Sequence, residues 1–253
     1  ALLLIQLLCA PVSAVTAEPA ADAQADAQTA SDNSAEDAAA EADSVPEDQL
    51  LSSREQFSVA AKAALLIDLN TNRVVYEQDA DERVYPASLT KIMTCLIALE
   101  NGNLSDVVTV SESALADLDE DSSVAGLVVG EQMTLENLLY CMMVVSGNDA
   151  CNVIAEHVAG SVTDFVRMMN QRAYELGCTN THFNNPHGLH DESHYTTARD
   201  LAIITQAALK SENFRQIVDT YEYKLPDDNM RQNIPKLKTT NMLIYQSMSN
   251  SLY

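Results

Sequence analysis

Apolar residues along this chain follow two rhythms. From Ala63 to Glu77 they come as two short runs, Ala63-Ala64-Leu65-Leu66-Ile67-Asp68 and Arg73-Val74-Val75-Tyr76-Glu77. Asn70-Thr71-Asn72 between them supplies turn chemistry, because Asn tolerates left-handed backbone and both side-chain types bond to nearby main chain. The pattern predicts an antiparallel hairpin. From Ser88 onward the spacing lengthens, and Ile92, Met93, Leu96, Ile97 and Leu99 recur at helical intervals. This predicts an amphipathic helix from about Ser88 to Glu100, stopped by Asn101-Gly102. Val107-Val108-Thr109-Val110 reads as a short strand. Thr134 is an N-cap candidate, with Glu136 in the positive first turn and Met133 and Leu138 as a hydrophobic staple. Its helix runs through Leu139, Met142 and Met143 toward Ser146-Gly147. Further helices are predicted from Asp149 to about Val158, from Ser161 to Leu176-Gly177, and from Thr197 to near Lys210. Ser211-Glu212-Asn213 then reads as an exit turn. A hairpin followed by a block of helices, with strands expected again at the end, predicts an α+β layered domain.

Composition sets this domain apart from what precedes it. Ala1 to Cys9 is an apolar run followed by the small-x-small sites Val12-Ser13-Ala14 and Val15-Thr16-Ala17. That is the pattern of a secretory leader, and it falls short of the about 20 residues that span a bilayer. The expectation is a partial export signal over 1–17 and therefore an exported, extracytoplasmic protein. Cys9 follows Leu8, where a lipid-attachment site would favour a small residue. Residues 18–48 are mostly Ala, Asp, Glu, Gln and Ser, a composition that buries too little apolar surface to offset its ordering entropy. They read as an acidic, disordered spacer, leaving 49–253 as the folded domain. The formal charge of −23 is partly local to the spacer, which holds ten Asp and Glu residues and no Lys or Arg. An acidic chain lacks the basic footprint that nucleic acid requires, so no nucleic-acid partner is expected. The remaining cysteines, Cys95, Cys141, Cys151 and Cys178, form no C-x-x-C pair. They read as small buried apolar residues, although an exported protein permits a disulfide.

The chemistry begins at Ser88-Leu89-Thr90-Lys91. Residues three apart on a helix share a face, so the spacing sets a hydroxyl beside an amine at the start of the first helix. A serine needs an adjacent base to act as a nucleophile. Lysine serves only if burial or a helix N-terminus depresses its pKa from about 10.4. The same residues could equally be a helix cap and a solvated lysine. Ser146-Gly147-Asn148 lies between two predicted helices, and it offers a hydroxyl for proton relay and an amide for Lys91 or a substrate. It could also be an ordinary turn. His182, His187, His190 and His194 cluster near Asp191 and Glu192, but no His-Glu-x-x-His helix is present, and Asn184-Asn185-Pro186 points to an irregular loop. No metal and no cofactor are expected.

Three ordered stretches carry a family resemblance: Tyr85-Pro86-Ala87-Ser88-Leu89-Thr90-Lys91-Ile92-Met93-Thr94, Ser146-Gly147-Asn148-Asp149-Ala150, and His182-Phe183-Asn184-Asn185-Pro186-His187-Gly188-Leu189. S-x-x-K and S-D-N are motifs of class A β-lactamases and penicillin-binding proteins. The chain resembles the low-molecular-weight penicillin-binding proteins, the serine D-alanyl-D-alanine carboxypeptidases. The resemblance implies a helical cluster packed on an antiparallel sheet. It implies Ser88 as the acylated nucleophile, Lys91 as general base, and Ser146 and Asn148 as the second active-site element. Peptidoglycan stem peptides would be the substrates and β-lactams the inhibitors. The histidine loop becomes part of the cleft wall. Ser-Gly-Asn in place of Ser-Asp-Asn, and the lack of a Glu-x-x-Leu-Asn segment, favour a carboxypeptidase over a class A β-lactamase. The family's third motif, Lys-Thr-Gly, does not occur. Lys238-Thr239-Thr240 is a near-spelling, and the segment after it resembles the approach to the true motif. The expectation is a chain that stops before that strand, lacks the C-terminal strands and is weakly active or inactive. Any membrane anchor would lie in a C-terminal segment not included here. The alternatives are a β-lactamase or esterase of the same fold, a non-catalytic wall-binding module, and a zinc D,D-peptidase built on the histidine loop.

Overall fold

In the computed structural model the described residues are 59–116, 118, 122–241 and 244. The expected leader, the expected spacer and the first residues of the expected 49–253 domain lie outside them. The hairpin forms as β1 (Ala64–Asp68) and β2 (Arg73–Gln78), antiparallel, with a bulge between Leu66 and Ile67. Asn72 takes the left-handed conformation at φ +56°, which Asn adopts at little cost.

The long apolar run becomes α1 (Thr90–Asn101), preceded by a 3₁₀ turn at Ala87–Leu89. This helix is not amphipathic in place. Every residue from Thr90 to Ala98 is buried, because other helices cover the apolar side and an irregular loop covers Thr90, Lys91 and Thr94. Burial of Ile92, Met93, Leu96 and Ile97 contributes about 1.5–3 kcal/mol each as an upper figure.

β3 (Val107–Thr109) pairs antiparallel with β4 (Gln132–Thr134). Between them lies a short helix, α2 (Glu112–Ala116). Neither β4 nor α2 has a strong periodic signal. The next helices follow the caps. Thr134 opens α3 (Leu135–Val144) by accepting from the Asn137 N–H. α4 is Asn148–Ala159 and ends on Gly160 at φ +80°. Ser161 opens α5 (Val162–Glu175), and Thr197 opens α6 (Ala198–Ala208). One reading is overturned: Ser211 is not an exit turn. Its side chain accepts from the Phe214 N–H and caps α7 (Glu212–Val218). Phe214 and Ile217 are buried, and packing one face suffices for a helix too short to persist alone.

β5 (Glu222–Tyr223) and β6 (Leu237–Lys238) form a last antiparallel pair. The core surrounds α1, which packs against α3, α4, α5, α6 and α7. The hairpin sits apart, joined through Leu65 and Ala80 to Ala198 and Ala202 of α6. The result is an α+β helical cluster with small antiparallel sheets, as expected. Among the described residues no helix is long and apolar enough to cross a membrane.

Candidate active site

Ser88 lies in the 3₁₀ turn and is exposed. Neither the turn nor α1 has a side-chain cap, so the Ser88 hydroxyl is not spent capping either. Ala87 before it stands at φ +48°. The 186–188 loop presses on this turn so closely that a Cβ at Gly188 would lie 1.9 Å from the Ala87 carbonyl oxygen. Glycine is required there by space as well as by its φ of +93°.

One turn on, Lys91 is only 2% exposed. Its Nζ lies 3.2 Å from Ser88 Oγ, 2.7 Å from Asn148 Oδ1 and 2.9 Å from the His187 carbonyl oxygen. Burial depresses its pKa below the usual lysine range, against the opposing pull of Cys151 and Asp149. Donor accounting gives the pair a direction. A neutral amine has two N–H groups and one lone pair. Asn148 Oδ1 and the His187 carbonyl can only accept, so they take the two N–H groups. In that neutral form the lone pair faces the Ser88 hydroxyl, whereas the ammonium donates to Ser88 Oγ.

Ser146 completes the set. Its Oγ donates to Ser88 Oγ at 3.0 Å. Its backbone sits at φ +60°, a left-handed conformation that costs a non-glycine residue about 1–2 kcal/mol. Asn148 is the first residue of α4, so Ser146 and Asn148 flank the helix entry at Gly147. A Cβ at Gly147 would stand 2.9 Å from Asp149 Oδ1, 3.0 Å from the Cys141 carbonyl and 3.1 Å from the Ala125 nitrogen. That crowding accounts for Gly at the centre of Ser-Gly-Asn.

Ser88, Lys91, Ser146 and Asn148 thus come together in one hydrogen-bonded group, from elements up to 60 residues apart in sequence. Lys238 does not join them. It sits exposed on β6, and among the described residues no hydrogen bond links it to this group. The histidines do not gather into a metal-binding group among the described residues. His182 Nδ1 meets the Ser193 carbonyl, His187 Nδ1 accepts from the Leu189 N–H, and both His194 nitrogens are engaged. Burial lowers the pKa of both His187 and His194 to about 4. Cys95, Cys141, Cys151 and Cys178 are free and buried, with thiol pKa values pushed up by burial.

Two contributors have no motif of their own. The His187 carbonyl is backbone, and backbone carries no residue label. Asp149 directly follows Ser-Gly-Asn, and its buried carboxylate accepts from the N–H groups of Ala125, Gly126 and Leu127 at 2.9–3.0 Å. Asn148 N–H donates to the Ser123 carbonyl at 2.8 Å. Together they moor the strap 122–131 beside Ser88 and Lys91.

A family model of the D-alanyl-D-alanine carboxypeptidases, peptidase family S11, matches residues 50–252. Among curated relatives, the D-alanyl-D-alanine carboxypeptidase DacF of Bacillus subtilis is 42% identical over 192 residues, 73% of this chain and 47% of the relative. DacC of Escherichia coli is 40% identical over 160 residues, 60% of this chain and 40% of the relative. The chain therefore spans about half the length of the curated relatives it matches. Among solved structures, the Streptomyces K15 DD-transpeptidase superposes with a TM-score of 0.69 at 32% identity, covering 75% of this chain and 77% of that one. Penicillin binding protein 5 from Haemophilus influenzae gives 0.67 at 34% identity, over 76% and 55%.

Proposed function

Because the chain belongs to the D-alanyl-D-alanine carboxypeptidase family, we propose that Ser88 is the nucleophile of a serine peptidase that removes the terminal D-Ala of peptidoglycan stem peptides. The observation that carries this reading is the buried Lys91 amine, held by Asn148 Oδ1 and the His187 carbonyl and set 3.2 Å from Ser88 Oγ. Lys91 takes the Ser88 proton as Oγ attacks the carbonyl carbon of the penultimate D-Ala. The tetrahedral intermediate collapses by breaking the peptide C–N bond. Ser146, bonded to Ser88, relays that proton from the Lys91 ammonium to the departing amine, so D-Ala leaves and Lys91 is neutral again. Water, deprotonated by the same lysine, then attacks the ester carbonyl and restores the Ser88 hydroxyl. Asn148 holds Lys91 and presents its amide to the substrate backbone. Every step is acid–base or nucleophilic and calls for no cofactor. β-Lactams acylate the same serine and act as inhibitors. The chain carries no Lys-Thr-Gly, so recognition of the substrate carboxylate is assigned to no residue here. The setting is extracytoplasmic, with 1–17 as part of the export leader, 18–48 as spacer and 49–253 as the peptidase domain.

A fluorescent penicillin tests this directly. It is expected to label the protein, to leave Ser88→Ala unlabelled, and to acylate Lys91→Met about 10²–10⁴-fold more slowly, the span of a lost general base. Equal labelling of Ser88→Ala refutes the assignment. Turnover of nitrocefin in preference to a D-Ala-D-Ala peptide would make the protein a β-lactamase or esterase. Binding to cell wall without labelling would make it a non-catalytic module.

A further inference from the structure

The loop that supplies the His187 carbonyl is sewn to α1 at three positions. Thr94 Oγ1 donates to the Pro186 carbonyl at 2.6 Å. Lys91 Nζ donates to the His187 carbonyl at 2.9 Å. Thr90 Oγ1 meets His194 Nε2 at 2.8 Å. The His194 contact differs from the others, because it ties the two ends of the loop to the helix at once. His194 Nδ1 lies 3.0 Å from the Asn184 backbone N–H, which can only donate. Nδ1 is therefore the acceptor, so Nε2 bears the proton and donates to Thr90. The ring itself is 1% exposed and packs edge-on against Phe183, with centroids 5.6 Å apart.

The tie matters because it is the pin nearest the turn at its far end, inside the His182–Tyr195 backbone pairing and the Asn170 clamp on Phe183 that close the loop's base. Asn185 Oδ1 accepts from the His187 and Gly188 N–H groups, which shapes the turn internally. Nothing in that turn fixes its height above Lys91. The height is set where the loop is pinned, at Phe183 by Asn170, at Asn184 by His194 and at Pro186 by Thr94. We propose that His194, as the Nε2-protonated neutral imidazole, is a positioning residue for Lys91, holding the His187 carbonyl on the amine and water off it. This rests on the acyl-transfer reading of Ser88 and Lys91. His194 touches neither of those residues and acts through Thr90 and the loop. A proton added at Nδ1 would face the Asn184 N–H, so the tie exists only in the neutral ring. The titratable groups that bear on His194 are Asp191, His182 and His190. Those that bear on Lys91 are Cys151 and Asp149.

The test reads Lys91 itself, by NMR titration of its Nζ in the intact chain. Thr90→Val keeps the side-chain volume and deletes the acceptor. It is expected to raise the Lys91 midpoint by about one pH unit, because water admitted to the amine relieves the burial that depresses it and outweighs the weakened carbonyl contact, which alone would act the other way. His194→Ala is expected to do the same, and the double variant to do no more than either alone. Thr90→Ser is expected to return the native value. The acid limb of penicillin acylation should move with the Lys91 midpoint. Nitrogen chemical shifts of His194 are expected to report the Nε2–H tautomer, a readout that needs no variant to fold. A folded Thr90→Val protein with an unmoved Lys91 midpoint overturns the proposal, and so does an Nδ1–H tautomer. If penicillin fails to label the native protein, the acyl-transfer reading falls while the Lys91 titration still decides the role of His194.

Discussion

Two segments flank the Ser88–Lys91 pair, and they are held by opposite chemistry. The loop 182–197 is fastened mainly by neutral groups, and the carboxylate of its Asp191 bonds Ser193 within the loop. Asn170 clamps Phe183 through both its amide atoms, His194 holds Asn184, and Thr94 holds Pro186. The strap 122–131 is fastened by charge. Asp149 gathers three of its N–H groups from one side. From the other side Arg231 donates to the Gly126 carbonyl at 2.9 Å and to Glu131 at 2.8 Å. Glu131 is fully buried and accepts from the Val128 N–H. The difference follows from what each segment faces. The loop lies over Lys91, where a second carboxylate would add to the pull that Asp149 already exerts on the amine. The strap lies across the entry of α4, where the helix dipole and free N–H groups favour an anion.

The comparison can be broken most severely at Asp149. Asp149→Ala leaves three strap N–H groups without their acceptor. The expected loss is about 3 kcal/mol of stability by urea denaturation, after allowing for water at the exposed Gly126. Penicillin acylation should fall with it, since Asn148 is moored to the same strap. A loss below about 1 kcal/mol would show that the strap is held elsewhere.

Acid separates the two segments more gently. His187 and His194 have folded pKa values near 4, below the unfolded 6.5. The unfolded chain therefore binds more protons between those values, and stability falls as pH drops from 6.5 toward 4. Glu131 has the opposite sign. Burial raises its carboxyl above 4.5, so its folded form gains relative stability as pH falls toward that value. Hydrogen exchange at pH 5 against pH 7, corrected for the intrinsic rate, is expected to show protection lost in 182–197 and kept in 122–131. Equal loss in both would erase the distinction.

Thr94→Val gives the smallest effect. It removes one of the loop's ties without touching a charge, and is expected to cost about 1 kcal/mol in thermal or urea unfolding. Because His194 still pins Asn184, the Lys91 midpoint should move less than in Thr90→Val. A larger movement would transfer the positioning role from His194 to the Pro186 tie.

Some elements were legible because their signal is local. The hairpin is written in two β-type runs around Asn70-Thr71-Asn72. The caps at Thr134, Ser161 and Thr197 each accept from the N–H three residues on, as their side chains dictate. Ser211 carried the same signal, and the seven-residue helix behind it was missed because so short a helix depends on packing. The burial of Lys91 could not be read from α1, because the loop that covers it begins about 90 residues later.

The sequence alone placed a serine and a lysine one helical turn apart, set a second Ser and Asn at a helix junction, and spelled the motifs of a serine peptidase family. Those follow from side-chain identity and from the 3.6-residue period, which are properties of short stretches. Only the tertiary structure decided that the lysine is buried and that Asn148 Oδ1, the His187 carbonyl and Ser88 Oγ surround its amine. Burial and backbone acceptors belong to distant segments, and a carbonyl such as that of His187 has no identity in the sequence until the fold brings it to the amine.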